Sequence, residues 1–176
     1  MKLFTATSFI WCIGLCILAP TIAGADAVHI EEYKPSATFQ RLQVLEGTWE
    51  GTHSMGPNEK VTVEYQLTSG GSALLERIFS GTPNEMVSVY TENNGNVEMT
   101  HYCMLGNAPR MGLQSASKNT FRFNFIGGTN MRSEHDPHMH QLTMVFKNDD
   151  TIVQDWVMFK DGKAEHKNTV TLRRVS

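Results

Sequence analysis

The sequence predicts an all-β protein: an antiparallel up-and-down barrel of about ten strands, with one short helix at its N-terminal end. Three observations predict this fold. After Gly47, short segments alternate apolar and polar side chains, which is the period of a strand with one buried face. Turn sequences rich in Gly, Asn and Asp separate these segments roughly every ten residues. A meander of so many hairpins leaves exposed edges unless it closes, so a barrel is favoured and a β-sandwich is the alternative.

Residues 1–25 have the order of a secretory signal peptide. Lys2 precedes an apolar core over residues 9–19, and Pro20 interrupts the apolar run. The small residues Ala-Gly-Ala then end at Ala25, which provides the site that signal peptidase requires. We expect cleavage after Ala25, with Ala27 as the second choice and an uncleaved anchor as the alternative.

The processed protein is therefore expected in the periplasm or outside the cell. Residues 26–35 form a flexible lead-in and residues 36–176 one barrel domain. The 15 basic and 18 acidic residues are nearly balanced and form no basic run, which argues against nucleic acid or anionic membrane as the main partner. No transmembrane segment is predicted after processing. The sequence does not give the oligomeric state.

A short helix opens the predicted domain. Ser36 or Thr38 can cap it, because a hydroxyl accepts a hydrogen bond from the first turn. Phe39, Leu42 and Leu45 follow at helical spacing, so the helix is expected to end at Leu45.

The strands follow the turn signals. The clearest strand covers residues 61–67, where every second residue from Val61 to Leu67 is apolar. The Asn94-Gly95 pair is a hairpin signal, because both residues tolerate positive φ. The longest irregular stretch begins at Gly127 and ends near His140. The predicted strands are 48–52, 61–67, 73–79, 86–91, 97–104, 111–116, 121–125, 142–146, 152–159 and 164–173.

Residues 45–51 (LEGTWEG) resemble the start of the calycin group, the lipocalin-like and fatty-acid-binding-like barrels. Those proteins often begin with a short helix and a Gly-x-Trp on the first strand, where the Trp closes one end of the barrel. Residues 68–76 (TSGGSALLE), 100–103 (THYC) and 106–111 (GNAPRM) resemble an uncharacterised bacterial family of exported lipocalin-like domains of unknown function. This resemblance implies a fold and no particular chemistry.

The segment from Gly47 to Gly51 also resembles the start of nitrobindin-type heme barrels, which bind heme iron through a histidine on a late strand. The resemblance implies heme as a candidate cofactor. The residues by themselves require no cofactor.

Two histidines are predicted to converge inside the barrel. His101 shares a strand face with Met99, and His166 shares one with Asn168. Inside a barrel they could anchor a ligand, bind a metal or heme, or act as a general base. The alternative is a buried pair whose nitrogens bond neighbours such as Asn168 and Tyr65.

Two other residues raise questions of burial. Cys103 is expected to be a buried, inert thiol rather than a nucleophile. On the third strand, one face carries Arg77 and the other Glu76, and the pattern leaves open which faces inward. An interior Arg77 would bind a carboxylate ligand, whereas an Arg77 near the strand end would reach solvent.

A cluster of histidines is the most metal-like stretch of the chain. His138 and His140 project to one side if extended, and His135 or Asp136 could supply a third ligand. Pro137 and the preceding glycines predict a mobile surface loop here.

The sequence thus predicts a barrel that holds a small apolar or amphipathic molecule in its interior. Met and Trp side chains, among them Met158 and Trp156, would add an apolar, adaptable lining. The alternatives are a heme-binding or histidine-based enzyme of the same fold, and a metal-binding module at the histidine cluster. The predicted ligand-binding residues are His101, His166, Tyr65, Arg77, Asn168, Phe121, Phe123 and Phe125.

Overall fold

A computed structural model describes residues 32–54 and 60–176, and the predicted signal peptide lies outside the described residues. Ten antiparallel strands form a closed barrel, as predicted, with one short α-helix before the first strand. No helix within the described part is long and apolar enough to cross a membrane. The elements are α1 (Ala37–Gln43), β1 (Gly47–His53), β2 (Lys60–Thr68), β3 (Ala73–Ile78), β4 (Met86–Asn93), β5 (Asn96–Tyr102), β6 (Ala108–Ala116), β7 (Thr120–Thr129), β8 (His138–Asn148), β9 (Thr151–Lys160) and β10 (Lys163–Arg174).

The barrel closes where β1 pairs with β10. Every other strand pairs with its neighbours in sequence, and the closing register runs from Trp49 opposite Arg174 to His53 opposite Val170. A Cβ at Gly51 would overlap the carbonyl oxygen of Thr171. The last glycine of the Gly-x-Trp-x-Gly sequence therefore lets the first and last strands approach each other.

Helix α1 covers one end of the barrel. The Ser36 hydroxyl accepts a hydrogen bond from the Phe39 amide at 3.1 Å, so the predicted cap forms. Phe39 and Leu42 are fully buried in the core. The Gln43 side chain donates to the Gly71 carbonyl at 2.8 Å and so ties the helix to the turn between β2 and β3.

Trp49 closes the same end, as the resemblance to calycins implies. Its indole Nε1 donates to the Leu45 carbonyl at 2.8 Å, and the side chain is fully buried. The Arg174 guanidinium lies 4.3 Å from the centroid of the Trp49 ring. The opposite end of the barrel, where β5 and β9 finish and β4 and β8 begin, is called the open end below.

The middle of the barrel is packed with its own side chains. Aromatic, aliphatic and thioether groups from many strands meet there without solvent exposure, as in the close-packed interior of an ordinary domain. The expected hollow centre is therefore absent from the described core, and space remains at the open end instead. The fully buried side chains include Leu74, Tyr90, Met99, Met111, Phe121, Phe123, Leu142 and Met144.

The predicted irregular stretch is strand at both of its ends. β7 continues through Gly127 and Gly128, which pair with β6, and β8 begins at His138, opposite Phe159. The two glycines mark a register shift in the ladder rather than its end. The loop between β7 and β8 is therefore residues 130–137, shorter at both ends than the predicted stretch from Gly127 to His140.

Replacing Gly51 by alanine should destabilise the barrel, because the added Cβ meets backbone that cannot move aside. We expect the free energy of unfolding to fall by about 1–3 kcal/mol, measured by urea denaturation. Glu50→Ala, at the exposed neighbouring position, is the control and should change it by less than about 0.5 kcal/mol. Equal stability of Gly51→Ala and the wild type would contradict this account of closure.

Candidate functional site

The interior charge of the third strand is Glu76, not Arg77. Leu74, Glu76 and Ile78 are buried, whereas Arg77 is only half-buried on the opposite face. Of the two alternatives for this strand, the structure therefore has the one in which Arg77 faces outward and binds no ligand in the interior. Leucine and isoleucine flank Glu76 on its own face and outweigh its charge in setting the orientation of the strand.

Three neutral donors satisfy the Glu76 carboxylate. Its Oε1 accepts from the Tyr65 hydroxyl at 2.7 Å and from the Gln154 side-chain amide at 2.6 Å, and its Oε2 accepts from the Tyr90 hydroxyl at 3.0 Å. Burial, and then the charge of Glu76, raises the pKa of Tyr65 and Tyr90 well above the ordinary value. Tyr65, predicted to line a ligand site, is thus committed to the core network.

His101 stands two strands away in the same row. Glu76 lies opposite Ser88 on β4, and Ser88 lies opposite His101 on β5. The Ser88 hydroxyl and His101 Nδ1 are 3.0 Å apart. His101 is 2 % exposed, and its Nε2 has no hydrogen-bond partner among the described residues. Burial lowers the pKa of His101 to about 4, so the ring is neutral at pH 7.

His101, the residue with the unpartnered Nε2, lines a small cavity at the open end of the barrel. The cavity measures about 30 Å³, which is room for one or two water-sized groups. The Trp156 ring lies against the His101 ring, with 4.9 Å between centroids. The cavity is lined by Ile78, Phe79, Met86, His101, Met139, Trp156 and Asn168.

A larger cleft adjoins this cavity. It measures about 420 Å³, and it shares Met139, Trp156 and Asn168 with the cavity. Met158 adds a second thioether to its lining. The cleft thus has the size of a small-molecule site, and the His101 cavity forms its inner end.

The structure places His166 and Asn168 at this open end, but at different depths. His166 is exposed and lines the cleft, whereas half-buried Asn168 lines both spaces. The Asn168 Oδ1 accepts hydrogen bonds from the Ser54 amide and hydroxyl, both at 3.1 Å. His101 and His166 therefore approach one cleft from its floor and its rim rather than meeting in a closed interior.

The three phenylalanines of β7 lie apart from the cleft lining. Phe121 packs on Phe146 and Phe123 on Tyr90, with ring centroids 5.6 and 5.8 Å apart. Phe125 packs beside the histidine cluster instead. These rings form core rather than the walls of the described cleft.

The clustered histidines bond to each other. His138 Nδ1 lies 2.7 Å from the Asp136 carbonyl oxygen, which only accepts, so this nitrogen carries a proton. His138 Nε2 lies 2.9 Å from His140 Nδ1. The His140 ring stacks on Phe159, and burial lowers its pKa.

The structure does not bring the expected metal ligands of this cluster together. Asp136 pairs with Arg132 at 2.9 Å, and His135 is exposed. Within residues 32–54 and 60–176, no three His, Cys, Asp or Glu side chains are grouped to hold a metal. The expected set of His135, His138 and His140 therefore reduces to one hydrogen-bonded pair.

Sequence reasoning missed Ser88 and Met139. Met139 was assigned to the irregular stretch, so no strand face could be given to it. Its neighbours His138, His140 and Gln141 are polar, so no apolar pattern indicated that it belongs to β8. Ser88 lies between valines on β4, and only the cross-strand register places it beside His101.

Ser88 and His101 resemble a nucleophile and its base, but the arrangement does not fit that chemistry. Ser88 is fully buried. Its hydroxyl contacts Nδ1 of His101, whereas the nitrogen without a partner among the described residues is Nε2. A nucleophile must reach its substrate. Ser88 therefore orients the imidazole.

When the sequence is compared with protein-family models, no family matches it. A comparison with curated proteins finds none that is significantly similar. The closed ten-stranded antiparallel barrel is the part of the calycin resemblance that is confirmed. The lipocalin-like family and its exported location stay predictions.

Heme does not fit the described residues around His101. The cavity beside that ring is about 30 Å³, and Trp156 covers the ring. The late-strand histidine, His166, is exposed and next to Lys167 in an open cleft. The heme that the nitrobindin resemblance implies therefore has no matching pocket at either histidine.

The buried imidazole should make stability depend on pH. The pKa of His101 is about 4 in the folded protein against 6.5 for the ordinary group, so the unfolded chain binds the proton more readily between these values. Stability is fully present above pH 6.5 and falls as pH drops towards 4. We expect His101 to contribute a loss of about 2–3 kcal/mol between pH 7.5 and 4.5.

Urea denaturation at the two pH values checks this expectation. His101→Leu should lose less stability than the wild type over the same interval, whereas His135→Ala, at an exposed histidine, should follow the wild type. An equal loss in the wild type and His101→Leu would show that His101 is not held neutral by the fold.

Proposed function

We propose that the protein binds a small apolar or amphipathic molecule in the cleft at the open end of the barrel. A polar group of that molecule bonds to His101 at the cleft floor, and its apolar body lies against Met139, Trp156 and Met158. The observation that carries the proposal is the His101 Nε2 atom, which is buried without a partner. A buried nitrogen of this kind costs free energy unless something bonds to it.

The lining supports an apolar ligand. Two methionines and a tryptophan provide apolar surface, and thioethers adapt to ligands of different shape. Binding sites of this kind combine many apolar contacts with a few polar groups that fix orientation. His101 supplies one such group from a rigid strand.

The charges around the cleft favour an uncharged polar group on the ligand. Lys167 is engaged with Asp155 at 3.0 Å, and His101 is neutral at pH 7. A hydroxyl can donate to a bare imidazole nitrogen or accept from a protonated one. A hydroxyl or similar neutral group therefore suits His101 in either tautomer.

We also propose that the protein acts in the periplasm or outside the cell. The protein recovered from its host should lack residues 1–25, and intact-mass spectrometry measures this directly. Loss of residues 1–27 would keep the export proposal and move the cleavage site. A mass equal to the whole chain would contradict the export proposal. A native mass spectrum of the same preparation reveals a retained ligand as added mass.

The neutral fluorescent probe 1-aminoanthracene tests binding at the cleft. We expect its emission to rise on binding the wild type, and Met158→Glu to weaken binding at least about tenfold by placing a charge in the apolar lining. Val44→Glu, at an exposed position after α1 at the closed end, is the matched control and should bind as the wild type does. Equal affinity in both variants, or no binding of the probe, counts against the proposed site.

A further inference from the structure

The small cavity beneath the cleft is lined by three side chains that can offer donor atoms to a soft cation. His101 has the unpartnered Nε2, which offers a lone pair in the tautomer whose Nδ1 donates to Ser88, and the thioether residues Met86 and Met139 line the same cavity. At about 30 Å³ the cavity is too small for an organic molecule and large enough for one ion or a water. The indole ring of Trp156 lies beside it.

This set of donors selects for a particular class of cation. Thioethers are soft ligands that favour Cu(I), whereas Mg²⁺ and Ca²⁺ require oxygen ligands. The imidazole and both thioethers are neutral, so they offset the charge of a bound ion less completely than thiolates would. Neutral ligands of this kind suit a monovalent ion better than a divalent one. An aromatic face adds attraction for a cation.

The surroundings favour a positive charge in the cavity. The Glu76 carboxylate lies two strands from His101 in the same row, and no described lysine or arginine pairs with it. Two strand spacings place the carboxylate about 10 Å from the imidazole. In a packed interior a carboxylate at that distance stabilises a cation, because solvent screens it little.

We propose that His101, Met86 and Met139 form a site for a soft monovalent cation, Cu(I), with Trp156 as its aromatic cover. This goes beyond the proposed organic ligand, although both occupants use the free Nε2 of His101, so the cation and the polar group of that ligand are alternatives at this nitrogen. The Ser88 hydroxyl lies 3.0 Å from His101 Nδ1. A metal-binding imidazole usually donates from its second nitrogen in this way, so metal binding requires the tautomer in which Nδ1 donates to the Ser88 hydroxyl. The cleft provides the route of entry, because it shares Met139 and Trp156 with the cavity.

Silver(I) is the air-stable probe for this site. The free thiol of Cys103 also binds soft metals, so the titration uses Cys103→Ala, with Cys103→Ser as a second background. Silver nitrate in chloride-free buffer is followed by calorimetry and tryptophan fluorescence. We expect one equivalent to bind and to quench Trp156, with Trp49 at the closed end unaffected, so that Trp156→Phe removes the fluorescence response. Zinc should give neither signal.

Volume-conserving variants then separate the cavity from the cleft. Met86→Leu and Met139→Leu should each weaken silver binding at least about tenfold, and His101→Leu should abolish it. Met158→Leu is the matched control, because Met158 lines the cleft and not the cavity. An anaerobic competition with a Cu(I) chelator should give the same ranking of variants for Cu(I).

Three results would overturn the inference: no silver binding once Cys103 is replaced, equal effects of Met86→Leu and Met158→Leu, or zinc binding as tight as silver binding. The first means that the cavity holds only water and the thiol is the metal ligand. Met86→Leu should keep its affinity for 1-aminoanthracene. The cation site can therefore fail while the organic site stands, and the reverse.

Discussion

The burial of the Glu76 carboxylate is the constraint around which the barrel interior is arranged. A carboxylate removed from water is costly unless donors surround it, and here Tyr65, Tyr90 and Gln154 donate from three other strands. These side chains must hold fixed positions to reach it. The network therefore links the two sides of the barrel and leaves its middle without room for a guest. Gln154 also accepts a hydrogen bond from Trp156 at 3.2 Å, so the same network fixes the wall of the cleft.

This packing determines where binding can occur. With α1 and Trp49 over one end and aromatic side chains in the middle, the cleft that adjoins the buried His101 is at the other end, where His101 meets Met139 and Trp156. The position of His101 on β5 puts one ring nitrogen against Ser88 and leaves the other free. The site thus depends on a polar core that takes no direct part in it. A guest bound here would be partly open to solvent, unlike one enclosed in a hollow barrel.

Alternation and turn chemistry predicted the strands well, because one face of each strand packs in the core while the other meets solvent. The same rule placed His101 and Cys103 inward, and both are buried. It could not resolve β3, where each face carries one charge, and it ended β7 too early, because Gly127 and Gly128 were taken to end the strand. Alternation also could not predict whether the interior is hollow or filled, since periodicity tells which side chains face inward and not whether they fill the volume. The Ser88–His101 contact needs the register of two strands, which no local pattern specifies.

The pairing of β1 with β10 has a consequence for how the molecule is made. The partner of β1 is β10, which follows it in the chain after eight other strands, and the Thr48 amide bonds to the carbonyl of Ser176 at 3.1 Å. The edge of the sheet at β1 stays unpaired until β10 has been synthesised, so closure of the barrel is a non-local and late step of folding.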